Sequence, residues 1–559
     1  MLPRFFPKAL SGSFQRRESS AASSWISTTT QLLLMLPPAS CIRLSVPSNV
    51  PENASAILDQ AFLSFAIEGR DFLDYSGNSS VPNEYSVNML STFSQKTGAA
   101  TYLRVGGTTQ DHFRYDAHQS EAIRFEEPGL ATYTSLFANI TVGSAWLDGF
   151  GQFRDVVWDL QVFLARKNLS NAVEFARDCV GAIDVGNLNA LEIGNEPDLY
   201  GSVGFFPNQT DRPAGYSVED YVAEFTEFAE ALEGSITLGD GPNFQALALS
   251  NLVADPWNEE NAFDAGLSPD LVKSVSEHFY QSEDGEDLGA TLMNKAAIRS
   301  KTDARFKDRI AYMKNAHPDI PFLIAEAASA LGNGTGIRDF DLTASLGTAL
   351  WTVDWLLYVA TLGVTRVNMQ LGSRFPFSPW LASPTTINNA TLAPQTLGSF
   401  YGNVFVADFI GRDGALQVAE LDVAADDSVT AYAAYSGGRL VRVAIVNLEV
   451  WRADSESGGS VRGRKTVEVA LDGASMDGSR FEVRRLTGRD AGAQAEDITW
   501  AGMQWTRESN GLPVVVHRDG YATAPVGNNG SVRVSCQASE ALLLQIITPA
   551  DGNSSDFAG

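Results

Sequence analysis

The sequence predicts an α/β chain, a (β/α)8 TIM barrel over residues 61–395 followed by an all-β sandwich over 396–559, and three observations carry that prediction. Short apolar runs alternate with longer helix-like stretches from about residue 61 to 395, the pattern of βα units wound around a parallel sheet. The runs number eight, which is the count that closes a barrel. After Gly398 the texture changes to short β-rich runs separated by Gly, Ser and Asp clusters, as in a sandwich.

Taken in chain order, residues 1–41 read as a leader. Arg4, Lys8, Arg16 and Arg17 precede a short apolar stretch, Leu32 to Pro38, and then the small residues Ala39 and Ser40. That order resembles a secretory signal displaced inward; a late-starting gene model or a transit peptide fits it as well. Residues 42–60 open with a strand-like run that continues from Cys41 to Val50, expected to pair with the distant β domain. The eight barrel strands are expected at Leu63–Ile67, Thr101–Val105, Ile140–Val142, Ala190–Ile193, Ile236–Leu238, Val272–His278, Phe322–Ala325 and Val364–Met369. One helix is explicit, because Leu342, Leu346, Leu350, Val353, Leu357 and Ala360 recur at spacings of three and four. Asp339 or Asp341 would cap its start and Gly363 its end. The sandwich is expected from Val441–Asn447, Thr466–Leu471, Arg480–Leu486 and Leu542–Ile547.

Composition narrows the function. With 67 acidic against 40 basic residues the net charge is -27, a field that repels phosphate backbones and anionic lipid heads, so nucleic acid is excluded as a partner. No apolar run of about 18 residues spans a bilayer, which excludes a membrane helix. Cys41, Cys179 and Cys536 lie far apart, the five histidines form no ligand pair at helical spacing, and no phosphate loop occurs, so no metal or other cofactor is implied. Nine Asn-X-Ser/Thr acceptors occur, at Asn53, Asn78, Asn139, Asn168, Asn208, Asn333, Asn389, Asn529 and Asn553. Roughly four or five would arise by chance. The excess points to a secreted, extracellular glycoprotein.

In such a barrel the chemistry sits at the C-terminal ends of the strands, and two carboxylates stand there. Glu196 follows the apolar strand Ala190-Leu-Glu-Ile, with Gly194 ending it and Pro197 fixing the turn; Glu326 ends Pro321-Phe-Leu-Ile-Ala. They fall on the fourth and seventh strands. Such a pair is what glycoside cleavage needs, one group protonating the departing oxygen while the other attacks or assists at the anomeric carbon. A strand-end glutamate can also be a mere solvated cap, and an inactive barrel that only binds carbohydrate is the rival from outside enzymology. Two glutamates kept at these strand ends argue against it.

Asn195-Glu196-Pro197, Glu326, Ser64-Phe-Ala-Ile-Glu-Gly-Arg70 and Arg104-Val-Gly-Gly-Thr-Thr-Gln-Asp111 resemble fungal members of glycoside hydrolase family 79, over most of residues 42–559, and Trp500-Ala-Gly-Met-Gln-Trp505 resembles that family's β-sandwich. The resemblance implies a clan A barrel and a retaining β-glucuronidase, with Glu196 as acid/base and Glu326 as nucleophile. It further implies Tyr280 as a hydroxyl holding the nucleophile, Asn195 at the sugar 2-hydroxyl, and Glu68 and Asp111 as sugar contacts. Gly332 and Gly334, within Gly332-Asn-Gly-Thr-Gly-Ile-Arg338, would offer backbone amides to a substrate carboxylate. Two positions depart from the pattern. Gln370 stands near the end of the eighth strand where a histidine is expected, and Phe377 stands for a tyrosine. They leave hydrolysis intact and open the choice among glucuronate, its 4-O-methyl form and a neutral sugar. An endo-acting, heparanase-like hydrolase would need a basic cleft, which the net charge of -27 disfavours.

Overall fold

The computed structural model describes residues 41–125, 140–183, 185–201, 212–250, 252, 256–331, 340–373, 375–387, 390–423, 426–453, 461–472, 479–517 and 520–547. Residues 1–40 of the leader expected over 1–41 lie outside them, whereas Cys41 opens a strand; Gly332, Gly334, Arg338 and five of the glycan acceptors, Asn139, Asn208, Asn333, Asn389 and Asn553, lie outside them too.

Eight parallel strands close a barrel: β1 (Leu63–Glu68), β2 (Thr101–Gly106), β3 (Val156–Val162), β4 (Leu188–Ile193), β5 (Phe244–Leu249), β6 (Val272–Glu283), β7 (Phe322–Leu331) and β8 (Arg366–Leu371). The ring shuts where β8 lies on β1, Val367 opposite Leu63 through Leu371 opposite Ile67. Helices cover the outside and side chains fill the inside, so most strand residues are buried on both faces and read as nearly continuous apolar runs.

Two expected strands are corrected. Ile140–Val142 belongs to a small sheet with Phe113–Tyr115 and Ile123–Phe125, outside the barrel. The third barrel strand is β3, whose apolar run is broken by Asp159 and Gln161; both are fully buried, and Asp159 meets Arg366 at 2.9 Å. Ile236–Leu238 is loop, and the fifth strand begins only after the Gly239-Asp-Gly-Pro242 turn. The alanines of β5, Phe-Gln-Ala-Leu-Ala-Leu, hide it from a pattern search.

The explicit helix spans Leu346–Leu362 after a short helical turn at Phe340–Thr343. Ser345 caps it, its hydroxyl accepting from the Thr348 N–H, in place of Asp339 or Asp341. Gly363 ends it with φ of 102°, a left-handed cap that glycine reaches without strain. Nearly every residue of this helix is buried, because helix Gly398–Ile410 packs on its outer side before the β domain begins at Leu416. A helix apolar all round is a covered one.

The β domain sets a nine-stranded sheet against a three-stranded one. In the smaller sheet Cys41–Pro47 pairs in parallel with Arg464–Asp472, Cys41 opposite Thr466, and its alternate residues Ile42, Leu44 and Val46 are buried between the sheets with Val443, Ile445, Phe481 and Leu542. Barrel and β domain are joined through Arg299, whose guanidinium grips Asp354 at 2.9 and 3.0 Å, Glu420 at 2.9 Å and the Tyr432 hydroxyl at 2.6 Å.

Candidate active site

The C-terminal ends of β4, β6 and β7 bring three titratable side chains together. Gly194, with φ of 83°, stops β4, and Glu196 itself takes φ of 51°, a left-handed conformation that costs a non-glycine residue strain. The strain is held from both sides: the Glu196 N–H donates to the Ala248 carbonyl at 3.0 Å, and Asp198 accepts from the N–H and hydroxyl of Ser250 at 3.0 and 2.6 Å. Glu326 is the fifth residue of β7, and His278 of β6 lies opposite it in register. One carboxylate oxygen of Glu196, one of Glu326 and a ring nitrogen of His278 all lie within 4.8 Å of one another.

Partners differentiate the two glutamates. Glu326 accepts from Arg104 Nη1 at 3.1 Å and from the Tyr280 hydroxyl. Burial alone would raise its pKa, yet His278, Arg104 and the Tyr280 hydroxyl together bring it below the ordinary value. Glu196 shares a hydrogen with His278 Nδ1 at 3.0 Å and pairs with no arginine among the described residues; burial, the largest influence, pushes its pKa up against that imidazole. Of the two, Glu196 is the carboxyl disposed to hold a proton and Glu326 the one disposed to be ionised. His278 is itself pushed up, because Glu326 and Glu196 outweigh its burial.

A cation could use the same trio, but the donor set does not favour one: Arg104 and Tyr280 occupy the oxygens of Glu326, and burial disfavours the charged form of Glu196. Proton transfer beside a fixed carboxylate is the chemistry this arrangement offers.

Asn195 is buried beside Glu196, its Oδ1 accepting from Arg104 Nη2 at 2.7 Å. Glu68, at the end of β1, accepts from the N–H of Thr109 at 2.8 Å and from its hydroxyl, and its pKa is raised to about 7 by burial and by Glu326. Asp111 stands one layer out. Its carboxylate takes the N–H groups of Leu164 at 2.7 Å, Ala165 at 3.3 Å and Asn195 at 3.3 Å and the Tyr200 hydroxyl, which makes it a brace of the β4 turn in place of the expected sugar contact. Gln370 is buried near the end of β8, its Oε1 without a hydrogen-bond partner among the described residues. Phe377 meets Tyr280 edge-on with ring centroids 5.7 Å apart and stacks on Phe375 at 4.9 Å, an apolar wall behind Tyr280. The Gly332–Arg338 segment and Arg374 lie outside the described residues.

Sequence reasoning missed Arg104, Glu192 and His278 as members of the site. A signal existed: Arg104 and Glu192 each interrupt an apolar barrel strand, and such interruptions pair only when the strands close.

Residues 431–543 match the family described as glycosyl hydrolase family 79 C-terminal beta domain. Over 527 residues the chain is 29% identical to a β-glucuronidase of Aspergillus niger, covering 90% of this chain and 94% of that protein. It is 27% identical over 543 residues to a β-glucuronidase of Neurospora crassa, covering 88% and 93%. A 4-O-α-L-rhamnosyl-β-D-glucuronidase from Fusarium oxysporum shares the fold, with a TM-score of 0.72 at 20% identity, over 90% of this chain and 100% of that one.

Proposed function

We propose that the chain is a member of glycoside hydrolase family 79 and a secreted, retaining β-glucuronidase, a reading supported by the family 79 C-terminal domain matched at residues 431–543 and by the two β-glucuronidases that most of the chain resembles. The observation that carries the mechanism is the spacing of the two carboxyls. One oxygen of Glu196 and one of Glu326 within 4.8 Å of each other support double displacement, which takes carboxyls roughly 5 to 5.5 Å apart, over inversion, which takes roughly 6.5 to 9.5 Å.

Glu326 attacks the anomeric carbon, forming a carbon–oxygen bond as the glycosidic bond breaks, and the proton on Glu196 passes to the departing oxygen. Glu196, now a carboxylate, takes a proton from water; the hydroxide end of that water attacks the same carbon and releases Glu326. His278 holds Glu196 at 3.0 Å through both steps. Tyr280 and Arg104 hold the Glu326 oxygens in line. Asn195, adjacent to the acid, is placed for the 2-hydroxyl, where a contact strengthens in the transition state. Glu68, protonated up to about pH 7, is suited to donate a hydrogen bond to a sugar oxygen.

The sugar assignment rests on the two β-glucuronidases that most of the chain resembles. The apolar wall of Phe375 and Phe377 favours a 4-O-methyl-glucuronide as an accepted variant. Nitrophenyl β-glucuronide, its 4-O-methyl form and nitrophenyl β-glucoside, followed by NMR of the first-formed anomer, test the reading. Release of β-configured glucuronate supports it; a first-formed α-anomer overturns retention, and faster cleavage of the glucoside overturns the sugar.

Export is supported by the acceptor asparagines in the described residues, Asn53, Asn78, Asn168 and Asn529, all of which are exposed. An endoglycosidase-sensitive mobility of chain collected from culture medium tests it; chain confined to cells overturns it.

A further inference from the structure

Arg104 lies in the barrel interior beneath the nucleophile, and the proposed reaction does not account for how its charge is divided. Its side chain and that of Glu192 are both 0% exposed. Nε and Nη2 donate to the same Glu192 oxygen at 2.9 and 2.5 Å, Nη2 also reaches Asn195, and Nη1 alone is given to Glu326, at 3.1 Å. Glu192 in turn is braced from the far side, its second oxygen accepting from the Gln245 amide, whose own oxygen accepts from the Ser274 hydroxyl at 3.2 Å. Burial would lower the arginine's pKa, and Glu192, ahead of Glu326, reverses that.

We infer that Glu192, which never meets the sugar, is a positioning residue that serves as the standing counter-ion of Arg104 while Glu326 is esterified. The inference rests on the double-displacement reading. In the resting site Glu326 and Glu192 carry negative charge around Arg104. Glycosylation makes Glu326 a neutral ester, and the charge reappears on Glu196, which faces His278 rather than Arg104. A guanidinium paired with Glu326 alone would lose its counter-ion at that moment, and a buried cation left unpaired is strongly disfavoured. With Glu192 beneath it, Arg104 stays neutralised through both steps and keeps its geometry for the second.

The test uses the dinitrophenyl β-glycoside that the wild-type chain cleaves fastest, so that loss of the leaving group is easy and the ester accumulates. A 2-deoxy-2-fluoro glycosyl fluoride of the same sugar is applied first, with mass spectrometry of the labelled peptide. An adduct on Glu326 upholds double displacement; its absence overturns that reading and the inference with it. In E192Q we expect the glycosylation rate to fall at least about tenfold with deglycosylation within about twofold of wild type, so that the pre-steady-state burst shrinks. Arg104, freed of its second partner, should also move the acid limb of kcat/KM to lower pH. The variant E192Q/Q245E returns the charge to the same chain one residue on, and should recover most of the burst. An adduct on Glu326 together with an unchanged burst and acid limb in E192Q overturns the counter-ion role alone, as does a folded double variant no faster than E192Q. Should E192Q fail to fold, the double variant decides on its own: a burst near wild type supports the role and its loss overturns it.

Discussion

Two glutamates of one side-chain chemistry end on opposite sides of the ordinary carboxylate value, about 4.3, because their neighbours differ. Glu326 is lowered by His278, Arg104 and Tyr280 against its burial, and Glu196 is raised by burial. In the proposed reaction activity needs Glu326 deprotonated, so it should rise as pH climbs through the lowered value; it needs Glu196 protonated, so it should be lost as pH climbs through the raised one. The profile of kcat/KM should be a bell whose acid limb lies below about pH 4.3 and whose other limb lies above it. A single limb would break the assignment. Tyr280→Phe withdraws a hydrogen bond from Glu326, the proposed nucleophile, worth roughly 1.5 to 3 kcal/mol to its carboxylate, so kcat/KM should drop by about ten- to a hundredfold and the acid limb should move up in pH. A drop with the limb unmoved would leave Tyr280 as packing only. Glu196 and Glu326 were legible in the sequence because each ends an apolar run with a charge. Arg104, Glu192 and His278 were not, since what makes them functional is the choice of partner across the barrel, which no local pattern encodes.

At the scale of elements, strands were legible where both faces are apolar and illegible where one faces a polar interior. β7 shows its Phe-Leu-Ile-Ala plainly, whereas β3 carries Asp159 and Gln161 inward and the nearby Ile140–Val142, apolar but outside the barrel, looked the better strand. The turn after β4 joins sequence to function most directly. Gly194 and Glu196 are both left-handed there, and the stored strain persists because Asp198 is tied to the end of β5 through Ser250. Asp198→Ala should let Glu196 relax away from Glu326. We expect kcat to fall at least about tenfold with poor leaving groups, which need the proton, and much less with dinitrophenyl ones. Equal losses on both would mean that the turn serves folding and not the acid.

The whole molecule depends on Cys41–Pro47 lying against Arg464–Asp472, a pairing with the distant β domain that the strand-like run Cys41–Val50 already suggested. Leu44 is 0% exposed between the two sheets. Leu44→Asp would bury a carboxylate there as well as remove about 1.5 to 3 kcal/mol of apolar burial, and the thermal transition should fall by several degrees. If the barrel and β domain are one cooperative unit through Arg299, activity and β-domain structure should be lost in the same transition. Activity outlasting the β-domain transition would separate them.

Net charge acts at the largest scale and opposes the proposed substrate. A chain of net charge -27 surrounds a site that is to receive a carboxylate, so the long-range field lowers the local concentration of glucuronide even when chemistry, not encounter, limits the rate. Screening weakens that field before it touches the buried contacts: the Debye length falls from roughly 30 Å at 0.01 M to roughly 10 Å at 0.1 M salt, while Arg104 and Glu192, at 0% exposure, lie out of its reach. Raising ionic strength over that range at pH 7 should therefore increase kcat/KM for nitrophenyl glucuronide a few-fold, mainly through KM, and leave residual glucoside cleavage unchanged. A fall with salt would reverse the picture, showing that the rim of the site presents a cationic field strong enough to overcome the acidic body, and would reopen the case for an anionic polymer as substrate.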